Sequence, residues 1–136
     1  MAGVSDLPFR LIARSLGAPF AFTEMIDAKG LNHRDRRTIH MLSSGPADRP
    51  LGIQLLGNND RELIEAVGTL NTFDFDLLDF NAACPAPKVT RKGQGAALLR
   101  DPATFSRLLR LITAESVVPV TVKLRTGWDE NSINAK

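Results

Sequence analysis

The chain has 136 residues, 43% of them hydrophobic and 24% charged, a balance that belongs to a folded, water-facing protein and excludes a disordered or fibrous one. Its single cysteine excludes an internal disulfide framework, no apolar run approaches the roughly 20 residues that cross a bilayer, and the opening residues lack the basic-then-apolar pattern of a signal peptide, so a cytoplasmic protein is predicted. The net charge of +2, with a pI near 9.0, accommodates an anionic partner without requiring one.

Residues 5–17 predict a helix, with Ser5 as its cap, Leu7, Leu11 and Ile12 on one face and Gly17 as its stop. Residues 20–26 predict a buried strand. Residues 28–42 are polar and basic and predict a loop with a short helix. A second strand is expected over 49–57. A helix follows over 59–70, where Asn59 caps, Glu62 completes a capping box, and Leu63, Val67 and Leu70 face inward. Residues 74–84 predict a third strand. The clearest helix spans 101–115: Asp101 caps it, Pro102 takes the first position, and Phe105, Leu108, Leu109 and Ile112 form one stripe. A fourth strand is expected over 117–128. Strands alternating with helices at this spacing imply a parallel sheet, and each strand is apolar nearly throughout, as when both faces are covered. A doubly wound sheet and a β/α barrel both satisfy the pattern.

In parallel α/β folds, chemistry gathers at the C-terminal ends of the strands. Those ends carry Thr23, Glu24 and Met25 on the first strand, Gln54 on the second, Asn81 and Cys84 on the third, and Lys123 and Arg125 on the fourth. A glutamine and a lysine inside apolar strands are costly unless they pair in the core or meet a ligand. Cys84 is either a packed core thiol or a reactive one. A cysteine–histidine pair would need His33 or His40, both in the polar segment. That segment, with Lys29, Arg34, Arg36 and Arg37, reads as a solvated helix face or a surface for a phosphate backbone. The stretch KGQG at 92–95 reads as a phosphate cradle or a tight loop before a helix. Trp128 reads as packing or as a stacking platform. No cysteine and histidine stand at metal-ligand spacing.

The stretches "MAGVSDLPFR", "TEM", "GIQLLG", "DFNAACPAPKVTRKGQGAALL" and "PVTVKLRTGWD" together resemble the dihydrouridine synthase family of flavin-dependent tRNA-modifying enzymes. They occur in the family's order and span nearly the whole chain. The resemblance implies a partial TIM (β/α)8 barrel in the α/β class. About half of the barrel would be present, as the N-terminal portion of an FMN-binding domain over 1–136, with the helical domain absent. It implies FMN as cofactor, NADPH as reductant, tRNA as partner, no metal, no membrane, and a monomeric full-length enzyme. Hydride would pass from flavin N5 to uracil C6, and Cys84 would protonate C5. Gln54 and Lys123 match positions that hold the flavin ring, and Met1 and Ala2 match a turn against it. Asn81 matches a polar residue beside the target base; Lys88, Arg91 and Arg125 fall on the substrate side. Ala83 stands where the family usually has glycine. A free thiol titrates near 8.5 and so carries its proton at neutral pH, as an acid must. The chain alone is expected to be inactive, with weak or no FMN binding. Another FMN barrel acting on a free pyrimidine, of the dihydroorotate dehydrogenase kind, and a non-catalytic RNA-binding fragment are the alternative readings.

Overall fold

The computed structural model describes residues 3–134. Four strands, β1 (Ala21–Asp27), β2 (Leu51–Leu56), β3 (Leu77–Ala82) and β4 (Val120–Leu124), form one sheet in the order β1-β2-β3-β4, with every neighbouring pair parallel. The helices are α1 (Leu7–Ser15), α2 (Ala28–Asn32), α3 (Arg36–Met41), α4 (Asp60–Leu70), α5 (Pro87–Thr90) and α6 (Pro102–Glu115). Between β1 and β4 the packing runs α2 on α4 and α4 on α6, side by side in one layer. A doubly wound sheet reverses its strand order and carries helices on both faces. Here the strands follow chain order without reversal, which is the winding of a TIM barrel. The four strands are an α/β arrangement consistent with part of such a barrel.

The core lies between the sheet and this helical layer. Ile26, Ile53, Leu55, Leu78 and Phe80 meet Leu63, Ala66, Val67 and Leu70 of α4 and Leu108 and Ile112 of α6. Each fully buried aliphatic or aromatic side chain contributes about 1.5–3 kcal/mol. Both helices begin at their expected caps. Asn59 accepts a hydrogen bond from Glu62 N at 3.0 Å, and Asp101 from Thr104 N at 3.1 Å. Phe105 and Leu109 pack against the same cluster.

The first helix departs from its expected pattern. Its cap is Asp6, whose side chain accepts from Phe9 N at 3.0 Å, while Ser5 is buried. Gly17, with φ 96°, ends the turn as predicted. Leu11 and Ile12 are exposed, and the buried residue of the helix is Arg10. Its guanidinium grips Asp48 through Nε at 2.9 Å and Nη2 at 2.6 Å, and also donates to the carbonyls of Ser5 and Ser43. A charged group can be buried only with its donors and acceptors met, and Arg10 has these partners on one side of the helix. The apolar stripe is turned away as a result.

β1 has the expected length, shifted by one residue, while β2, β3 and β4 are shorter than the apolar runs. At the first residue of β2, the Asp76 carboxylate takes the Leu51 N–H at 2.6 Å. β3 ends where the Asn81 side chain captures the next backbone donors, those of Ala83 and Cys84. The basic segment 28–42 folds into two short helices, α2 and α3, rather than one. Among the described residues, no helix is long and apolar enough to cross a membrane.

Candidate active site

Side chains alternate across a strand, so each strand offers every second residue to each face. On the face away from the helices the sequence places Gln54, Asp79, Asn81, Thr121 and Lys123. Register aligns them: Met25 pairs with Gln54, Gln54 with Asp79, Asp79 with Thr121, and Asn81 with Lys123. An irregularity in β1 between Phe22 and Met25 brings Met25 into that row. Two recesses lie along this face. One, of about 450 Å³, is lined by Phe22, Thr23, Gln54, Asp79, Thr121, Val122 and Lys123. The other, of about 440 Å³, shares Gln54 and Lys123 and adds Met25, Asn81, Cys84 and Arg125.

The polar groups between the recesses form one chain of hydrogen bonds. Thr121 Oγ1 donates to Asp79 Oδ1 at 2.9 Å, and Gln54 Nε2 donates to Asp79 Oδ2 at 2.7 Å. Asn81 Nδ2 donates to Gln54 Oε1 at 2.9 Å and meets the Met25 sulfur at 3.1 Å. Asn81 Oδ1 then accepts from the backbone N–H of Ala83 at 3.1 Å and of Cys84 at 2.9 Å. This last pair is an Asx turn that shapes the exit from β3. Arg125 Nε donates to the Ala83 carbonyl at 2.8 Å and holds the same loop from β4.

Cys84 is a half-buried free thiol at the mouth of the second recess. Its carbonyl accepts from Ala96 N at 3.0 Å, which ties it to the segment after "KGQG". Gly95 makes that approach possible. It has φ 59°, and a Cβ there would stand 2.6 Å from the Cys84 carbonyl oxygen and 2.9 Å from Val89. The glycine at the end of "KGQG" therefore serves the cysteine loop, and the tight-loop reading of that stretch accounts for it.

Of the residues expected in a site, the structure brings together Gln54, Asn81, Cys84, Lys123 and Arg125 around one recess. Asn81 is buried, and both ends of its amide are engaged with the protein. Lys88 and Arg91, in and just after α5, are exposed and line neither recess. Met1 and Ala2 lie outside the described residues. Neither His33 nor His40 lines the recess of Cys84, so no cysteine–histidine pair forms there. His40 instead borders a separate recess of about 510 Å³ beside α1 and α3, with Asp6, Glu24 and Arg37. Trp128 packs under Arg100, whose guanidinium lies 3.6 Å from the ring centre. Among the described residues, no group of three or more His, Cys, Asp or Glu side chains is placed to hold a metal ion. Reading strand ends missed Asp79. Its signal was a carboxylate two residues before Asn81 in an apolar strand, on the same alternating face.

The carboxylates with clearly lowered pKa values lie away from the recesses. Asp35 and Asp101 are held down by hydrogen bonds from Thr38 and Thr104, one residue at the head of each helix. Burial pushes Asp76 up, but the Leu51 N–H and the Arg49 guanidinium outweigh it and leave the group lowered. These are capping and strand-end devices, distinct from the recess chemistry.

Comparison with known proteins identifies the family. The dihydrouridine synthase (Dus) family profile matches residues 1–136. The tRNA-dihydrouridine synthase B of Pseudomonas aeruginosa is 39% identical over 136 residues, covering 98% of this chain and 40% of the relative. That of Xanthomonas axonopodis pv. citri is 37% identical over 129 residues, 95% of this chain and 39% of the relative. A probable tRNA-dihydrouridine synthase of Rhizobium leguminosarum bv. phaseoli is 38% identical over 135 residues, 99% and 42% respectively. The chain thus spans about two fifths of the length of the curated relatives it matches. With a family match across its whole length and a cysteine loop built around an open polar sheet face, the chain belongs to the dihydrouridine synthase family.

Proposed function

We propose that this chain carries the catalytic cysteine and the ring-facing part of the FMN site of an enzyme that reduces uridines in tRNA to 5,6-dihydrouridine. The observation that carries the reading is the position of Cys84. It stands half-buried where β3 ends, in one recess with Gln54, Asn81, Lys123 and Arg125. The donor set fits a flavin: Gln54 offers an amide N–H and Lys123 a cation, the groups that ring carbonyls and ring nitrogens accept. The walls from Phe22 and Met25 suit a flat aromatic body.

When bound, FMN recharged by NADPH supplies the hydride that adds to uracil C6. The residues of this chain provide the rest. Addition at C6 leaves negative charge on C5 and O4 of the base. The Cys84 thiol gives its proton to C5, and positive charge from Lys123 and Arg125 stabilises the carbonyl oxygen as charge builds. Arg125 also keeps the loop of Cys84 in place through Ala83. The target base must leave its stack to reach the sheet face. Exposed Lys88 and Arg91 suit contact with the phosphate backbone around it. Residues 1–136 would form the N-terminal portion of the barrel, and the chain by itself would lack turnover because the four-stranded sheet leaves both recesses open.

The test uses the protein that carries this chain, incubated with NADPH and unmodified tRNA. Dihydrouridine is counted by nucleoside mass spectrometry. The wild type should form product, and Cys84→Ala should lose about 10²-fold or more in rate while NADPH still reduces the flavin. Wild-type turnover by Cys84→Ala would remove the cysteine from its role. Turnover of a free pyrimidine but not of tRNA would replace the reading with a dihydroorotate dehydrogenase-like one.

A further inference from the structure

The backbone N–H groups of Ala83 and Cys84 can only donate, so the Asn81 carboxamide must face them with its oxygen. Its nitrogen then faces Gln54, which must answer with Oε1. The Gln54 nitrogen is left pointing across the sheet at position 79. Whatever stands there must accept. Asp79 does so with Oδ2, while its Oδ1 takes the Thr121 hydroxyl. The carboxylate is buried, and among the described residues no cation lies within salt-bridge distance of it. A buried carboxylate is an expensive acceptor unless its lone pairs are used, and here one oxygen takes the Gln54 amide and the other the Thr121 hydroxyl.

We propose that Asp79 is a positioning residue: by accepting from Gln54 it fixes the polarity of the Gln54–Asn81 relay, so that the remaining Gln54 N–H faces the recess as a donor and the Cys84 loop is held from β3. The inference rests on the reading of the recess as a flavin site only for what the donor meets. Without an acceptor at 79, Gln54 is free to turn, offering its oxygen where a ring acceptor needs an N–H and releasing Asn81 from its partner. Asparagine at 79 keeps an oxygen for Gln54 and gives its amide hydrogens to Thr121, so the relay survives loss of the charge.

The test compares wild type, Asp79→Leu and Asp79→Asn in the protein that carries this chain. Alkylation of Cys84 is followed by peptide mass spectrometry, and FMN binding by quenching of flavin fluorescence. Asp79→Leu should alkylate at least threefold faster, towards the rate of the denatured protein, and bind FMN about tenfold more weakly. Asp79→Asn should stay within twofold of wild type in both. If Asp79→Leu does not fold, Gln54→Met breaks the same relay and should give the same rise in alkylation. Unchanged alkylation in both breaking variants would overturn the proposal, as would Asp79→Asn behaving like Asp79→Leu, or a wild-type thiol already as reactive as when denatured. A wild type that binds no FMN would refute the flavin reading alone, and the alkylation series would still decide the relay.

Discussion

The fully buried Asp48 holds α1 against the 3-10 turn Pro46–Asp48, and removing its carboxylate should be among the most damaging single changes in the chain. Asp48 accepts twice from Arg10 and once from Arg14 Nε at 3.3 Å. In Asp48→Ala the Arg10 guanidinium, itself 2% exposed, keeps only the carbonyls of Ser5 and Ser43 and becomes an uncompensated buried charge. Breaking a buried pair from one side costs about 3–5 kcal/mol, whereas replacing both partners with apolar groups of similar volume is often neutral. At a urea slope of about 2 kcal/mol per M, the midpoint should fall by about 1.5–2.5 M. The assay is urea unfolding followed by far-ultraviolet circular dichroism, with Arg10→Met and the double variant Arg10→Met/Asp48→Leu alongside. The double variant should recover most of the loss of Asp48→Ala. A drop below about 1 kcal/mol for Asp48→Ala, or a double variant as weak as the single, would refute the reasoning that an unpaired guanidinium is what destabilises.

Gly95→Ala forces a Cβ into the Cys84 carbonyl at a left-handed φ; left-handed strain of roughly 1–2 kcal/mol and overpacking of about 1–3 kcal/mol should lower the melting temperature and speed alkylation of Cys84, and a variant with the wild-type melt and rate would show that the loop has slack. The lowered carboxylates predict the acid limb of stability. For Asp35, Asp76 and Asp101 the folded pKa lies below the unfolded value near 3.9, so their contribution is present above that value and is lost as pH falls through the folded ones. Melting temperature should therefore fall as pH drops below about 4, and the slope should flatten in the triple Asp→Asn variant; an equal slope in both would assign acid unfolding to other groups.

Most elements and much of the core can be read from local pattern. Asn59, Asp101 and Pro102 mark helix starts by local hydrogen bonding and fixed φ, and the stripes Leu63–Val67–Leu70 and Leu108–Ile112 follow from helical periodicity. Gln54, Asn81, Cys84 and Lys123 are legible as candidate site residues because polar groups in apolar strands stand out, and the structure gathers them around one recess. Three things needed the tertiary structure. The choice between a doubly wound sheet and barrel-like winding rests on strand order, which local patterning does not encode. The inward face of α1 depends on Asp48, 38 residues away from Arg10, so the apolar pattern of Leu11 and Ile12 pointed the wrong way. The role of Asp79 appears only through register, because a carboxylate in a strand acquires meaning from the amide placed opposite it, and that pairing is made by the sheet rather than by the strand.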